Sequence, residues 1–303
     1  MAFNVNGLTL WVNDNSQELI TKAVLEAETV QHITVIPGIK YKERLKYMDT
    51  NAPFIAGGCG WVTSGTTTLT EKDLLVTSLR TTETLCPDDL EKYSLQLSMK
   101  AGKNTAIPFE QLYAEQKVKQ IQKNIELMIW NNVAAGSDTF EGFIHLFNAD
   151  SDVVDKTFNW TGTSYTASDY TTAIFAAYNG LPAEIQNADD LKLFIGHDAY
   201  ARLVNAYFIA NLYHINVNDQ NSYGQTFKFP GISNLEIVAV NGLNGTKYGV
   251  MTPASNLIYA TDLVSEEDKL STWYSQDNQE VRTVANFKAG VQYYFGSYIV
   301  LQQ

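Results

Sequence analysis

Apolar residues recur with two different periods along this chain, and each change of period marks an element. Over residues 16–29, Leu19, Ile20, Ala23, Val24 and Ala27 fall at helical spacing and predict a short amphipathic helix. Residues 1–15 before it are largely aperiodic and read as an arm. His32 to Ile36 is a strand-like run broken at Pro37-Gly38, and Ile39 to Met48 is a second run with few breakers. Leu69 to Thr84 alternates loosely and is rich in Thr, Leu and Val, as a returning strand would be. From Leu112 the period lengthens. Val118, Ile121, Ile125, Met128, Ile129 and Val133 follow in steps mostly of three and four, one stripe of a long helix that Ala134-Ala-Gly136 ends. At about twenty-five residues this helix would span roughly 37 Å.

The stretch between the two strand runs has neither period. Residues 50–68 hold four glycines and many threonines, the composition of an extended excursion. A long loop of this kind is out of place inside a compact domain. The pattern predicts two long antiparallel strands with a Gly-rich tip, projecting from a body. Pro87-Asp-Asp89 opens a short helical segment to about residue 98. Beyond the long helix, Asp169–Tyr178 and Ala199–Tyr213 read as helices, and Leu191–Ile195, Leu235–Val240 and Tyr248–Met251 as strands. Their alternation predicts a mixed α/β unit. Gln279–Val284 and Phe287–Leu301 then return to long Val-, Tyr- and Phe-rich strands.

Composition changes the picture in two ways. Only 18% of the 303 residues are charged against 45% hydrophobic, and Tyr, Asn and hydroxyl groups take up the difference. Such a surface can be buried against other proteins with little desolvation cost. The net charge of −12 argues against tight nucleic-acid binding, which needs a basic patch, but not against an acidic wall around nucleic acid. Two cysteines make no disulfide framework, the first residues carry no basic and apolar leader, and no apolar run reaches the roughly 18 residues that span a membrane. A reducing cytoplasm is the expected site of synthesis.

Three groupings invite chemistry. Cys59 sits among Gly57, Gly58 and Gly60 and could present a thiol on a tight turn, but none of His32, His145, His197 and His214 has a local signature pairing it with that thiol. Asp150, Asp152 and Asp155 suggest calcium. Counting from Asp150, the sixth and twelfth positions hold Asp155 and Thr161 where an EF-hand needs Gly and Glu, so a solvated acidic loop is expected. His197-Asp198 lies at a strand-to-helix turn, where Asp198 is expected to cap the helix. Neither a phosphate-binding loop nor zinc spacing occurs.

The order of elements resembles the Hong-Kong-97-type (HK97-like) major capsid proteins of tailed bacteriophages. Local wording is similar to that family at Ile129-Trp-Asn-Asn132 with Glu141-Gly142-Phe143, at Leu191 to Ala210, at Phe229-Pro-Gly-Ile232, at Asn256 to Asp262, and at Phe287-Lys-Ala-Gly290. The resemblance implies an α+β fold: an N-terminal arm over 1–30, an extended β-hairpin (E-loop) with its base over 31–86, and a P-domain with the spine helix over 87–140. A mixed α/β A-domain over 141–255 and C-terminal P-domain strands over 256–303 complete it. It implies a shell protein of the virion, assembled in the bacterial host cytoplasm as pentamers and hexamers of an icosahedral shell that encloses double-stranded DNA, without sequence-specific DNA binding or membrane contact. Scaffolding, portal and decoration proteins are the further partners. A short arm beginning at Met1 implies a separate scaffolding protein or none. The resemblance implies no catalytic residue, cofactor or metal. Phe54, Ile55 and Trp61 would make contacts between subunits, and Asn218, Asp219, Asn221 and Tyr223 would lie near a capsomer axis. Lys72 lies beyond the loop tip, but nothing marks it for the Lys–Asn cross-link of some relatives. Three alternatives stand beside this reading: an encapsulin-type cellular compartment, another phage structural protein such as a tail component, and a cysteine hydrolase using Cys59.

Overall fold

A computed structural model describes residues 15–57, 63–86, 109–136, 139–210, 226–229, 231–262 and 270–303. The helices are α1 (Ser16–Leu25), α2 (Phe109–Ile129), α3 (Phe143–Ala149), α4 (Ala167–Tyr178), α5 (Ala183–Gln186) and α6 (His197–Ile209). The strands are β1 (Thr34–Pro37), β2 (Lys42–Asn51), β3 (Thr66–Leu75), β4 (Thr77–Leu85), β5 (Val154–Lys156), β6 (Leu191–Gly196) and β7 (Thr226–Lys228). They continue with β8 (Glu236–Val240), β9 (Gly249–Pro253), β10 (Leu257–Thr261), β11 (Leu270–Ser275), β12 (Glu280–Tyr293) and β13 (Val300–Gln302). One sheet runs β1-β10-β12-β11, with β4 also paired to β12. A second runs β5-β13-β9-β6-β8-β7, and β2 and β3 form a separate two-stranded ribbon.

The stripe on α2 packs as its spacing predicts. Val118, Ile121, Ile125 and Ile129 are buried in the main core with Leu19 and Val24 of α1 and the inner faces of β12 and β10. The helix stops at Ile129, earlier than the sequence pattern indicates, and Val133 lies beyond it, exposed. Asn131 turns the chain there. Its side-chain oxygen accepts hydrogen bonds from the amides of Val133 (3.3 Å) and Gly142 (3.0 Å), and a side chain at Gly142 would collide with it. A second apolar core fills the α/β unit, around Trp160, Tyr170, Leu193, Leu203 and Ile237. The predicted segment over 87–98 lies outside the described residues.

Two strand boundaries differ from the alternation pattern. The run Leu69–Thr84 is two strands, because Val76 changes partner between them. β3 pairs with β2, whereas β4 pairs antiparallel with β12. Val76 is buried and its amide donates to the Tyr41 carbonyl (2.9 Å), so the chain passes from ribbon to sheet without a loop. The two C-terminal runs are, conversely, one strand to Tyr293. Asn286 sits within β12 at a half-buried position opposite Arg80, and its polarity interrupts the pattern without interrupting the ladder. Beyond Tyr293 the chain crosses to the other sheet as β13, so the tail ties the two sheets together.

β11 and β12 are joined by a turn in which Gln279 holds φ at 53°, in the left-handed region. A side chain there is strained by about 1–2 kcal/mol, and glycine gives back part of that through its freer unfolded chain. Gln279→Gly should therefore stabilise the subunit by about 0.5–1 kcal/mol, seen as a higher urea midpoint with an unchanged slope.

Candidate assembly surface

The ribbon pairs in unbroken register from Lys42 opposite Leu75 to Asn51 opposite Thr66. Its two faces differ, because successive side chains alternate between them. The outer face starts as a ladder of ion pairs: Lys42 to Asp73 (2.6 Å), Arg44 to Glu71 (3.1 Å) and Lys46 to Glu71 (3.8 Å). These groups are well exposed, and each pair contributes at most about 1 kcal/mol. Further out the ladder gives way to Met48 opposite Leu69, both exposed, and then to Phe54 and Ile55, with Phe54 wholly in solvent. Apolar side chains this far from the body have no core of their own chain to join. Trp61 lies outside the described residues, as do Cys59, His214, Asn218, Asp219, Asn221 and Tyr223.

The inner face is apolar at its base. Leu45 and Leu74 are buried with Ile39, Val76, Ile258 and Ala260. Beside them Lys72, paired with Leu45, reaches the body. Its Nζ lies 3.4 Å from Asp150 Oδ2 and 3.7 Å above the centre of the Tyr293 ring. The Tyr293 hydroxyl donates to the same Asp150 oxygen, and the Asp152 amide donates to the other (3.0 Å). Burial pushes the Lys72 ammonium below its ordinary range. Burial alone would raise Asp150, but the bonds from Tyr293 and Asp152 and the Lys72 charge hold it below the usual carboxylate range. Two candidates from the sequence thus meet. Asp150 is engaged by an ammonium and a phenol rather than set in an acidic ligand shell, and Lys72 is engaged within its own chain. Tyr47 stacks edge-on against Phe295 (4.5 Å), and Gln292 Nε2 donates to the Asp73 carbonyl (2.9 Å).

Residues 26–32 clip the α/β unit to α2. Glu126 of α2 is buried, and its carboxylate accepts hydrogen bonds from the Thr29 amide (3.0 Å) and hydroxyl. Trp130 Nε1 donates to the same hydroxyl (2.6 Å). Burial raises the Glu126 carboxyl, partly offset by these bonds and one from the Gly242 amide. Glu28 accepts from the Asn241 amide (2.8 Å) and lies 3.1 Å from His197 Nε2. Asp198 does not cap α6. Gly196 occupies the cap position, and Asp198 sits in the first turn, accepting from the Gly245 amide (3.2 Å) and from Arg202 (3.0 Å). The turn 241–245 needs holding, and the sequence pattern around Asp198 carries no sign of it.

The Tyr259 hydroxyl is fully buried with no hydrogen-bond partner among the described residues. An unsatisfied buried donor costs roughly 1–3 kcal/mol. Tyr259→Phe should raise stability by about 1 kcal/mol in denaturant unfolding; a loss of that size would mean the hydroxyl is bonded.

No protein-family model matches the chain, and no curated protein matches it. Its likeness is to solved structures. A chain of the satellite phage P4 procapsid, determined with the size-determination (Sid) protein, superposes with a TM-score of 0.64 at 13% identity, over 95% of this chain and 90% of that one. The capsid of Myoviridae phage XM1 gives 0.57 at 13%, over 91% of each chain. The virus-like particle from Pyrococcus furiosus gives 0.51 at 11%, over 94% and 96%. At such identities the shared property is the fold, which over the described residues is α+β of the Hong-Kong-97 type.

Proposed function

We propose that this chain is the major capsid protein of a tailed bacteriophage, self-assembling into an icosahedral shell around double-stranded DNA. The supporting observation is the ribbon, whose distal apolar side chains Met48 and Leu69, and Phe54 and Ile55 beyond the paired strands, stand exposed and outside every core of their own chain. On a fold shared with phage capsids, a second copy is the surface that would cover them. Closed shells repeat one set of contacts at five-fold and six-fold positions, and many modest contacts per subunit make loss of one subunit rare. Phe54, Ile55 and Trp61 are assigned to those contacts. The polar segment carrying Asn218, Asp219, Asn221 and Tyr223 is assigned to the capsomer axis.

The protein's work is structural, with no reaction assigned to it. Glu126, Asp150, Asp198 and Glu28 are each bonded within the subunit in ways that hold elements together. Its place is the virion, after assembly in the bacterial cytoplasm. Scaffolding, portal and decoration proteins are the partners such a shell would use. Among the described residues no helix is long and apolar enough to cross a membrane.

The likeness to the virus-like particle from Pyrococcus furiosus favours a second reading, a cellular compartment shell. Content separates the two. Particles purified from their native source should hold nuclease-protected DNA on the capsid reading; a protein cargo without DNA would transfer the assignment to the compartment.

A further inference from the structure

The ribbon meets the body through contacts of different chemistry, including the Tyr47–Phe295 ring pair and the bond from Gln292 to the Asp73 carbonyl. At its base, Leu45 and Leu74 are buried in an apolar cluster. The next contact along the same face is polar: Lys72 to Asp150, beneath an aromatic ring whose hydroxyl also grips Asp150. Asp150 ends α3 and leads into the α/β unit, while Tyr293 ends β12. One carboxylate therefore joins three parts of the subunit that are distant in sequence. Further out, Asn51, Thr66 and Thr67 are exposed.

We propose that Lys72, Asp150 and Tyr293 form a latch that fixes the ribbon's direction relative to the α/β unit and can open while the ribbon's apolar base stays packed. The argument is one of relative cost. Separating the base would expose fully buried leucine, which water does not compensate. Opening the latch exchanges an ion pair for hydrated ions. The side chains of Lys72 and Asp150 are already 23% and 20% exposed, so water has only a short way to enter. The pivot falls where β3 ends. There the Leu75 carbonyl passes so close to Gly290 that a Cβ on that residue would lie 2.0 Å away, and the bare backbone leaves the crossing free of side-chain obstruction. The purpose of such a joint rests on the shell reading, in which identical chains meet neighbours at more than one angle. Its existence does not.

The test uses unassembled full-length subunits spin-labelled at Ile55→Cys on the ribbon and Glu184→Cys on the α/β unit, with Cys59 and Cys86 changed to Ser. The distance distribution is read by double electron–electron resonance. The otherwise native chain should give one narrow distribution, and Lys72→Met and Asp150→Asn should each broaden it roughly twofold while the thermal transition stays cooperative. The two variants open the contact from opposite sides, so a folding defect in one leaves the other to decide. An unchanged width in both, or a parent as broad as the variants, would overturn the latch. Particles are not needed for this reading, so failure of the shell assignment would show separately, as absence of assembly with the distance behaviour intact.

Discussion

Removing residues 53–66 should leave a folded, soluble subunit that no longer closes into the proposed shell. Asn51-Ala52 then becomes a two-residue connection between Thr50 and Thr67, which already face each other in register. Ala52→Gly would suit that tight turn, which requires positive φ. The removed residues that the structure describes, 53–57 and 63–66, are exposed apart from half-buried Ser64, so subunit stability should move by no more than about 1 kcal/mol. Assembly should fail outright, because each subunit loses its apolar tip, and loss of a contact repeated at every position is multiplied across the shell. The narrower pair Phe54→Ser with Ile55→Ser should weaken assembly in the same direction, with the thermal transition unmoved. Normal shells by electron microscopy from the deletion variant would refute the role given to the tip.

Gly290→Ala should destabilise the subunit by about 3 kcal/mol or more, the upper range for overpacking a close contact. A Cβ at Gly290 would meet the Leu75 carbonyl oxygen at 2.0 Å and Val76 Cα at 3.2 Å, all backbone, which cannot turn aside as a side chain can. Relief requires moving β3 and β4 off β12, and both the ladder pairing Ala289 with Thr77 and the burial of Leu74 and Val76 depend on their staying. Gly57→Ala is the control. It lies on the excursion with nothing within 4 Å of its missing Cβ and should unfold as the parent does. Equal denaturant midpoints for the two variants would mean that the close crossing is not a constraint.

Periodicity made the large parts legible. The ribbon was readable from two strand-like runs around a Gly/Thr-rich stretch, the long helix from its stripe, and the α/β unit from its alternation. The pattern failed where one residue changes the partner rather than the conformation. Val76 is a strand-like residue between strand-like residues, and alternation has no mark for a move from β2 to β12 as neighbour. Asn286 misled in the opposite sense, since a polar residue at a half-buried ladder position looks like a break. The end of α2 depends on a hydrogen bond from Gly142 to Asn131, eleven residues apart, outside the reach of helical spacing.

The polar contacts were less legible still. Glu126 looks like a solvated carboxylate on a helix, and its burial is decided by Thr29, 97 residues away in the chain. In the sequence Lys72 bears on cross-linking and Asp150 on calcium, and only the fold brings them together over Tyr293. Met48 and Leu69 carry no mark of assembly in the sequence beyond strand parity. They fall on the same face as Lys42, Arg44 and Lys46, the face opposite the buried Leu45, once the register with β3 is known. The tip residues Phe54 and Ile55 are legible because apolar side chains in a Gly-rich excursion have no local partner.

Electron microscopy of the purified full-length chain, expressed alone and then with any scaffolding protein encoded beside it, bears most directly on the shell. Closed icosahedral particles, or curved fragments built from rings of five and six subunits, are the predicted result. Monomers under both conditions, or open tubes and single flat rings, would contradict it.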